Sequence, residues 1–378
     1  MWDYDVLILG AGPVGSTLAR LVADKGFKAA LVEKKKVIGL PLQCAGLVSW
    51  KIKNVNILPD EFIINRIKGA IIHSPSDHIL KVSKDDVEAY VIDRVSYDQY
   101  LTEKAVSSGA KLLKNRKVIK IDHNHGEITL NSGDKLSAPI IVNAMGFKPD
   151  QIGFLARQYL IEFNDARMNP EFLDLKLNAD ISPGFLWRIP LSDKMARIGF
   201  FSESKRPWSF LLKFIKSFST HFRILGKYQG NIPLADPNKK LYKGRCILIG
   251  DAASQVKPTT GGGLLIGFKA AKIAAETIEE ALDKEDPGLL KKYHQRYHEI
   301  YDNEIKNQLR VQKTFKLLDN YGLDYLILKI KEKNLENIIS EYGDMDDQTP
   351  LIQEFLKRGL ISSMIPSLIW RKVTRIWK

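Results

Sequence analysis

The chain has 378 residues, enough for two domains or one large interleaved one, and its 44% hydrophobic and 27% charged content is that of a globular enzyme rather than a disordered or fibrous chain. No apolar run reaches about 18 residues and the N-terminus leads straight into a strand pattern, so neither a transmembrane helix nor a signal peptide is expected. The net charge of +13 points to anionic partners; with no nucleic-acid motif and the cations concentrated only near the C-terminus, an anionic membrane surface or phosphorylated lipid is expected, and no nucleic acid.

In chain order, Trp2 to Leu9 reads as a short buried strand that runs into Gly10-Ala11-Gly12-Pro13-Val14-Gly15. An apolar-periodic helix follows over Ser16 to Ala23, then a second apolar run, Lys28 to Val32, ending on Glu33. Strand, glycine turn, helix, strand, acid is the order of a dinucleotide-binding fold. Gly10 permits the tight turn, Gly12 lets backbone approach a pyrophosphate, and Gly15 lets the helix pack close to the sheet. The helix N-terminus offers unpaired N–H groups to phosphates, and Glu33 offers a carboxylate to ribose hydroxyls.

Lys34 to Lys36 reads as solvated loop, and Pro41-Leu42-Gln43-Cys44-Ala45-Gly46 as an aperiodic stretch of small residues. Short alternating runs from about Asn54 to Val91 predict strands of a second region. Asp93 is a candidate N-cap for a helix reaching about Ser108 and closed by Gly109. Strands are predicted over Lys111–Ile121, Glu127–Asn131 and Ile140–Ala144, with a turn at Ser132-Gly133-Asp134. From about 151 to 240 the chain is strand-like and aromatic, broken at Pro183, Pro190, Pro207 and Pro233. Arg245 to Asp251 is another buried strand; Pro258-Thr259-Thr260-Gly261-Gly262-Gly263 then leads into a long helix from Leu264 to about Leu282. The remainder is helical and charged, without internal repeats.

Three pieces together, the GAGPVG turn with Glu33, the Asp93-Arg94 helix, and the strand Cys246 to Asp251 followed by Pro-Thr-Thr-Gly-Gly-Gly, resemble the flavoprotein group that includes p-hydroxybenzoate hydroxylase. Within that group the chain is most similar to the geranylgeranyl reductase family, over about residues 1 to 285. The Cys44 loop is similar to that family's cysteine loop, with Ala45 where a glycine is common. Pro183-Gly184-Phe185-Leu186-Trp187-Arg188-Ile189-Pro190 is similar to its lipid-cavity signature, shortened and altered. The resemblance implies an α/β fold: a Rossmann-like FAD-binding domain, an inserted mixed or antiparallel β-sheet substrate domain, and a helical C-terminal region. The expected boundaries are 1–53, 91–150 and 241–285 for FAD, 54–90 and 151–240 for substrate, and 286–378 for the helical region.

It also implies roles. Gly10, Gly12, Pro13, Gly15 and Glu33 hold the ADP half of FAD; Cys44, Ala45, Arg94, Gly146 and Asp251 contact the cofactor; Gly261, Gly262 and Gly263 set a helix N-terminus against the flavin ring. Phe185, Trp187 and Ile189 line the substrate cavity, and Cys44 is the candidate catalytic residue, as proton donor or modulator of the flavin. On residue type alone Cys44 is equally a small buried hydrophobe, and Cys246 reads as core. Two cysteines make no disulfide framework and fit a cytoplasmic protein, peripheral at the membrane's inner face. His73, His78, His123 and His125 show no ligand pattern, so no metal is expected. Met145 stands where relatives usually carry an acid that is linked in hydroxylases to the nicotinamide, so NADPH, NADH or ferredoxin remain open as reductant.

The expected reaction is hydrogenation of C=C bonds of geranylgeranyl or other isoprenoid chains of archaeal-type ether lipids, by hydride transfer from reduced flavin in a monomeric enzyme. A flavin-dependent monooxygenase or halogenase is the alternative, because Phe185 to Pro190 also resembles the halogenase W-x-W-x-I-P motif. A non-catalytic flavoprotein is a third reading, against which the intact flavin-facing glycines stand. Phe355 to Ile361, Met364-Ile365-Pro366, Leu368 to Lys372 and Trp377-Lys378 combine tryptophans, aliphatics and cations; residues 355–378 suit either membrane contact or docking on the protein's own core.

Overall fold

The computed structural model describes residues 1–148, 150–203, 208–365 and 367–377; Pro207, Pro366 and Lys378 lie outside them. Val6–Leu9 and Ala29–Val32 are continuous apolar runs buried on both faces, as parallel strands sandwiched between layers are. They pair in parallel from Val6 opposite Ala29 to Leu9 opposite Val32. The six-stranded sheet runs Tyr242–Lys243, Cys246–Leu248, Ile140–Asn143, Val6–Leu9, Ala29–Val32, Lys111–Leu113. All its pairs are parallel except at the Tyr242–Lys243 edge.

Side chains alternate between the faces of this sheet. Val6, Ile8, Ile140 and Val142 meet two helices, Pro13–Asp24 and Leu264–Asp283, through Leu18 and Val22 of the first and Ala270, Ala274 and Ile278 of the second. Leu7, Leu9, Ile141 and Cys246 meet Ile128 and Leu130 of a three-stranded meander. The stretch Lys111 to Ile121, expected as one strand, is two: Lys111–Leu113 ends the parallel sheet and Val118–Asp122 belongs to the meander.

The second large sheet has seven strands, in the order Phe222–Pro233, Gly153–Phe163, Met195–Ser202, Leu186–Pro190, Phe172–Lys176, Gly69–His73, Ile79–Ser83. Only the pair Phe172–Lys176 and Gly69–His73 is parallel. The strand-like reading of 151–240 missed a helix, Trp208–Lys216. Its Leu211, Phe214 and Ile215 recur at helical spacing and bury against Leu186, Ile198 and Phe200 on one face of this sheet. A small sheet of Leu47–Ser49, Ala89–Ile92 and Ile63–Ile67 packs through Val48 and Ile92 with Tyr97, Leu101, Leu265 and Phe268.

From Lys291 the chain is helical. Asn320–Glu332 and Glu336–Tyr342 flank Leu335, and Ile327, Ile330 and Leu335 cover Leu80 of the edge strand Ile79–Ser83. The last helix, Ser367–Trp377, lies along Lys291–Leu317: Val373 is buried and Trp377 Nε1 donates to Thr314 Oγ1 at 3.1 Å. No helix among the described residues is long and apolar enough to cross a membrane.

Candidate active site

The first glycine turn separates three steric tasks. Gly10 has φ +107°, and a Cβ there would sit 2.4 Å from Ala144 O. A Cβ on Gly15 would sit 2.1 Å from Gly10 O, so the helix can approach the strand only without one. At Gly12 a Cβ would meet nothing within 4 Å. Gly12, Pro13 and Gly15 line a cavity of about 590 Å³, and no side chain caps the helix that begins there. Open space against an uncapped helix start is the cradle a pyrophosphate needs. Glu33 does not line the cavity. It stands behind the turn, buried, with Oε2 accepting from Ala11 N and Oε1 from Lys35 N, both at 2.8 Å.

Arg94 opens the helix Arg94–Ser107, whose N-cap is Asp93: its Oδ1 accepts from the N–H of Val95 and of Ser96. Arg94 forks onto Asp98, Nε to Oδ1 and Nη2 to Oδ2, each at 3.1 Å. Burial works against its charge, but Asp98 and the Cys44 sulfur outweigh this and hold the guanidinium above its ordinary pKa. Asp251 faces the cavity beside Gly263; burial pushes its carboxyl up, and the Arg94 charge only partly opposes this. Gly261 to Gly263 also line the cavity, leading into the helix Leu264–Asp283, whose first turn has no side-chain cap. Ala144 and Gly146 line it as well, whereas Met145 between them packs into the apolar cluster beneath the sheet.

The Cys44 loop lies between the two large sheets, and residues of the second hold it in place. Gln158 Nε2 donates to Cys44 O at 3.0 Å, and Arg197 Nη1 donates to Ala45 O at 2.7 Å. Gly46 N donates to the Cys44 sulfur at 3.3 Å. A Cβ on Gly46 would lie 2.2 Å from Arg197 Nη1, so the loop admits the guanidinium only because residue 46 is glycine. Burial pulls Arg197 below its ordinary pKa, partly offset by Cys44 and Asp93. Cys44 and Ala45 line the cavity; Cys246 is in the core, where burial pushes its thiol up to about 12.

Phe185, Trp187 and Ile189 line the same cavity from the second sheet. Their alternation sends Leu186 into the cluster on the opposite face, where Arg188 pairs with Asp174. The Phe185 and Trp187 rings meet edge-on at 6.5 Å. Trp187 is opposite Gly199, where a Cβ would lie 2.6 Å from the indole Cζ2. That gap lets the indole lie across the neighbouring strand toward Gln158 and Tyr228, which continue the row. The wall is mostly apolar, and the nucleotide-type glycines stand at one part of it.

Sequence reasoning missed Arg197, Gln158, Lys257 and the segment Asp344 to Asp346, all of which meet at this cavity or its cysteine loop. An arginine or glutamine in an alternating strand carries no local signal, since sheet register alone brings it to Cys44. Lys257, next to the Pro-Thr-Thr-Gly-Gly-Gly run, was within reach, as a cation beside a glycine turn.

A family model described as Lycopene cyclase protein matches residues 5–364. An uncharacterised protein of Methanocaldococcus jannaschii is 33% identical over 376 residues, covering 94% of this chain and 95% of the relative. The digeranylgeranylglycerophospholipid reductase of Methanosarcina acetivorans is 30% identical over 370 residues, covering 89% of this chain and 90% of the relative. Among solved structures, a geranylgeranyl bacteriochlorophyll reductase-like protein from Thermoplasma acidophilum shares the fold with a TM-score of 0.82, at 22% identity and over 99% of each chain.

Proposed function

The chain belongs to the lycopene cyclase protein family and, within it, groups with the digeranylgeranylglycerophospholipid reductases; from this we propose that it is an FAD-dependent reductase. It hydrogenates the C=C bonds of geranylgeranyl chains on archaeal-type ether lipids. The observation that carries this is that the glycine turns suited to a dinucleotide and the aromatic strand suited to an isoprenoid open onto one cavity of about 590 Å³.

Gly12, Pro13 and Gly15 would hold the ADP half of FAD, with Gly10 shaping the turn against Ala144 and Glu33 bracing it from behind through Ala11 N, and Arg94, Gly146 and Asp251 would serve the rest of the cofactor. Bound and reduced, FAD supplies the hydride for a double bond that no carbonyl activates. The N–H groups of Gly262 and Gly263 and the dipole of the following helix favour negative charge at that end of the cavity, while the Gly261 N–H closes the turn onto Lys257 O. Phe185, Trp187 and Ile189 hold the chain against that end and exclude water, so positioning supplies much of the barrier reduction. Cys44 Sγ–H, with Ala45 beside it, is the proton source facing the cavity. Residues 1–53, 91–150 and 241–285 serve the cofactor, and 54–90 with 151–240 serve the lipid. Electrons come from a nicotinamide nucleotide or a ferredoxin, which reduction of the purified protein by each in turn distinguishes.

The test is anaerobic: photoreduced protein is mixed with digeranylgeranylglyceryl phosphate and the lipid is weighed by mass spectrometry. Flavin reoxidation with gain of one hydrogen pair per double bond is expected. A product that gains oxygen or halogen, formed only in air, overturns the reading in favour of a monooxygenase or halogenase.

A further inference from the structure

Between the helices Glu336–Tyr342 and Thr349–Lys357 runs a strap, Gly343 to Gln348, along one wall of the cavity. Ser340, just before it, accepts from Ser83 N at 3.3 Å at the edge of the second sheet. Asp344 is ion-paired with Lys51. Two residues later, Lys257 Nζ donates to Met345 O at 2.7 Å and to Asp346 Oδ1 at 2.8 Å. Gln348 Nε2 donates to Thr259 Oγ1 at 2.7 Å. The strap thus runs from the sheet edge to the glycine turn. Between its two ion pairs, the Met345 side chain packs with the cluster of Phe185, Trp187 and Ile232.

Lys257 is not needed as a cation by the turn it begins. Backbone bonds close that turn, Gly261 N to Lys257 O at 2.8 Å and Lys257 N to Gly262 O at 3.0 Å. Yet the Lys257 and Asp346 side chains are only 5% and 10% exposed, so two charges are kept out of water in a mostly apolar wall. A desolvated pair of this kind is weak support for stability, and well-packed apolar replacements commonly match it; what it fixes is geometry. We propose that Lys257 is a positioning residue that pins the Gly343–Gln348 strap to the glycine turn and so holds Met345 as the wall that sets how far an isoprenoid chain advances. The proposal rests on the lipid-reductase reading for its substrate, and on the contacts above for its geometry.

The test uses the flavin-loaded full chain and the double variant Lys257→Met/Asp346→Leu, which removes both charges and leaves no buried ion unpaired. Amide hydrogen exchange over residues 343–348 is expected to rise about tenfold, and Lys257→Arg to keep wild-type protection. Met345→Trp is expected to weaken binding of a fluorescent geranylgeranyl probe about tenfold. With digeranylgeranylglyceryl phosphate, the double variant and Met345→Trp should each change the number of hydrogen pairs added, at unchanged flavin content. Wild-type exchange in the double variant, or unchanged probe affinity and product pattern in both, overturns the proposal. Should the wild type hydrogenate no lipid, the functional reading fails, while exchange and probe affinity still decide the role of Lys257.

Discussion

Gly10, Gly12 and Gly15 share one turn but fail differently when given a side chain. Gly12 has φ −72°, which any residue tolerates, and its Cβ would point into empty space. Gly12→Val should therefore leave thermal unfolding within a few degrees of wild type and abolish copurifying flavin. Gly15→Ala meets Gly10 O at 2.1 Å and should cost about 1–3 kcal/mol of stability. Flavin absorbance per protein and a melting curve check both; a yellow Gly12→Val protein sinks the assignment of that turn. For Cys44→Ala the expectation is reversed: flavin retained, and kcat for lipid reduction lowered about 100-fold, as for loss of a proton donor. Wild-type kcat would make Cys44 a packing residue. Cys44 was legible as a candidate because its neighbours in sequence are its neighbours in the loop. Arg197 and Gln158, which hold that loop, come from strands more than a hundred residues away and were not.

The strap carries a pH response of its own. Partial desolvation and the adjacent Glu304 carboxylate push Asp347 up to about 6. Burial also disfavours charge on Glu304, but hydrogen bonds from Asp347, Gln348, Thr349 and Gln308 hold it below the ordinary range. A carboxyl raised in the folded state favours folding while protonated. Its contribution is complete below about pH 4 and is lost as pH rises through about 6. The Gln348 and Thr349 amides donate to Glu304, so their exchange, corrected for intrinsic chemistry, should accelerate between about pH 5 and 7. Asp347→Asn should flatten that profile; an unchanged slope would remove Asp347 as its source. Local signals served well for elements: Asp93 caps its helix, and the long helix after Gly263 begins where the glycines end. The helix Trp208–Lys216 escaped because its aromatic residues sit in a strand-rich stretch and read as sheet. The strap escaped because nothing in its sequence names its partner, Lys257.

Net charge belongs to the whole molecule. A surplus of +13 favours attraction to an anionic surface. The final helix, Ser367–Trp377, divides its faces accordingly: Val373 is buried and Trp377 is tied to Thr314, while Lys372 and Arg375 are exposed. Docking and membrane contact, two readings of one amphipathic sequence, are thus compatible on opposite sides of one helix. Lys372→Glu/Arg375→Glu touches only the exposed side, so the melting temperature should stay within a few degrees. Reversing two cations changes the charge by four units. At roughly 1 kcal/mol per cation close to an anionic surface, binding to phosphatidylserine-containing vesicles should weaken at least about tenfold at low salt. The wild-type affinity should itself fall as salt is raised. Deleting residues 361–378 should weaken vesicle binding similarly but also lower the melting temperature, because Val373 leaves the core. Equal vesicle affinity for wild type and the charge-reversed protein would confine the helix to docking on Lys291–Leu317.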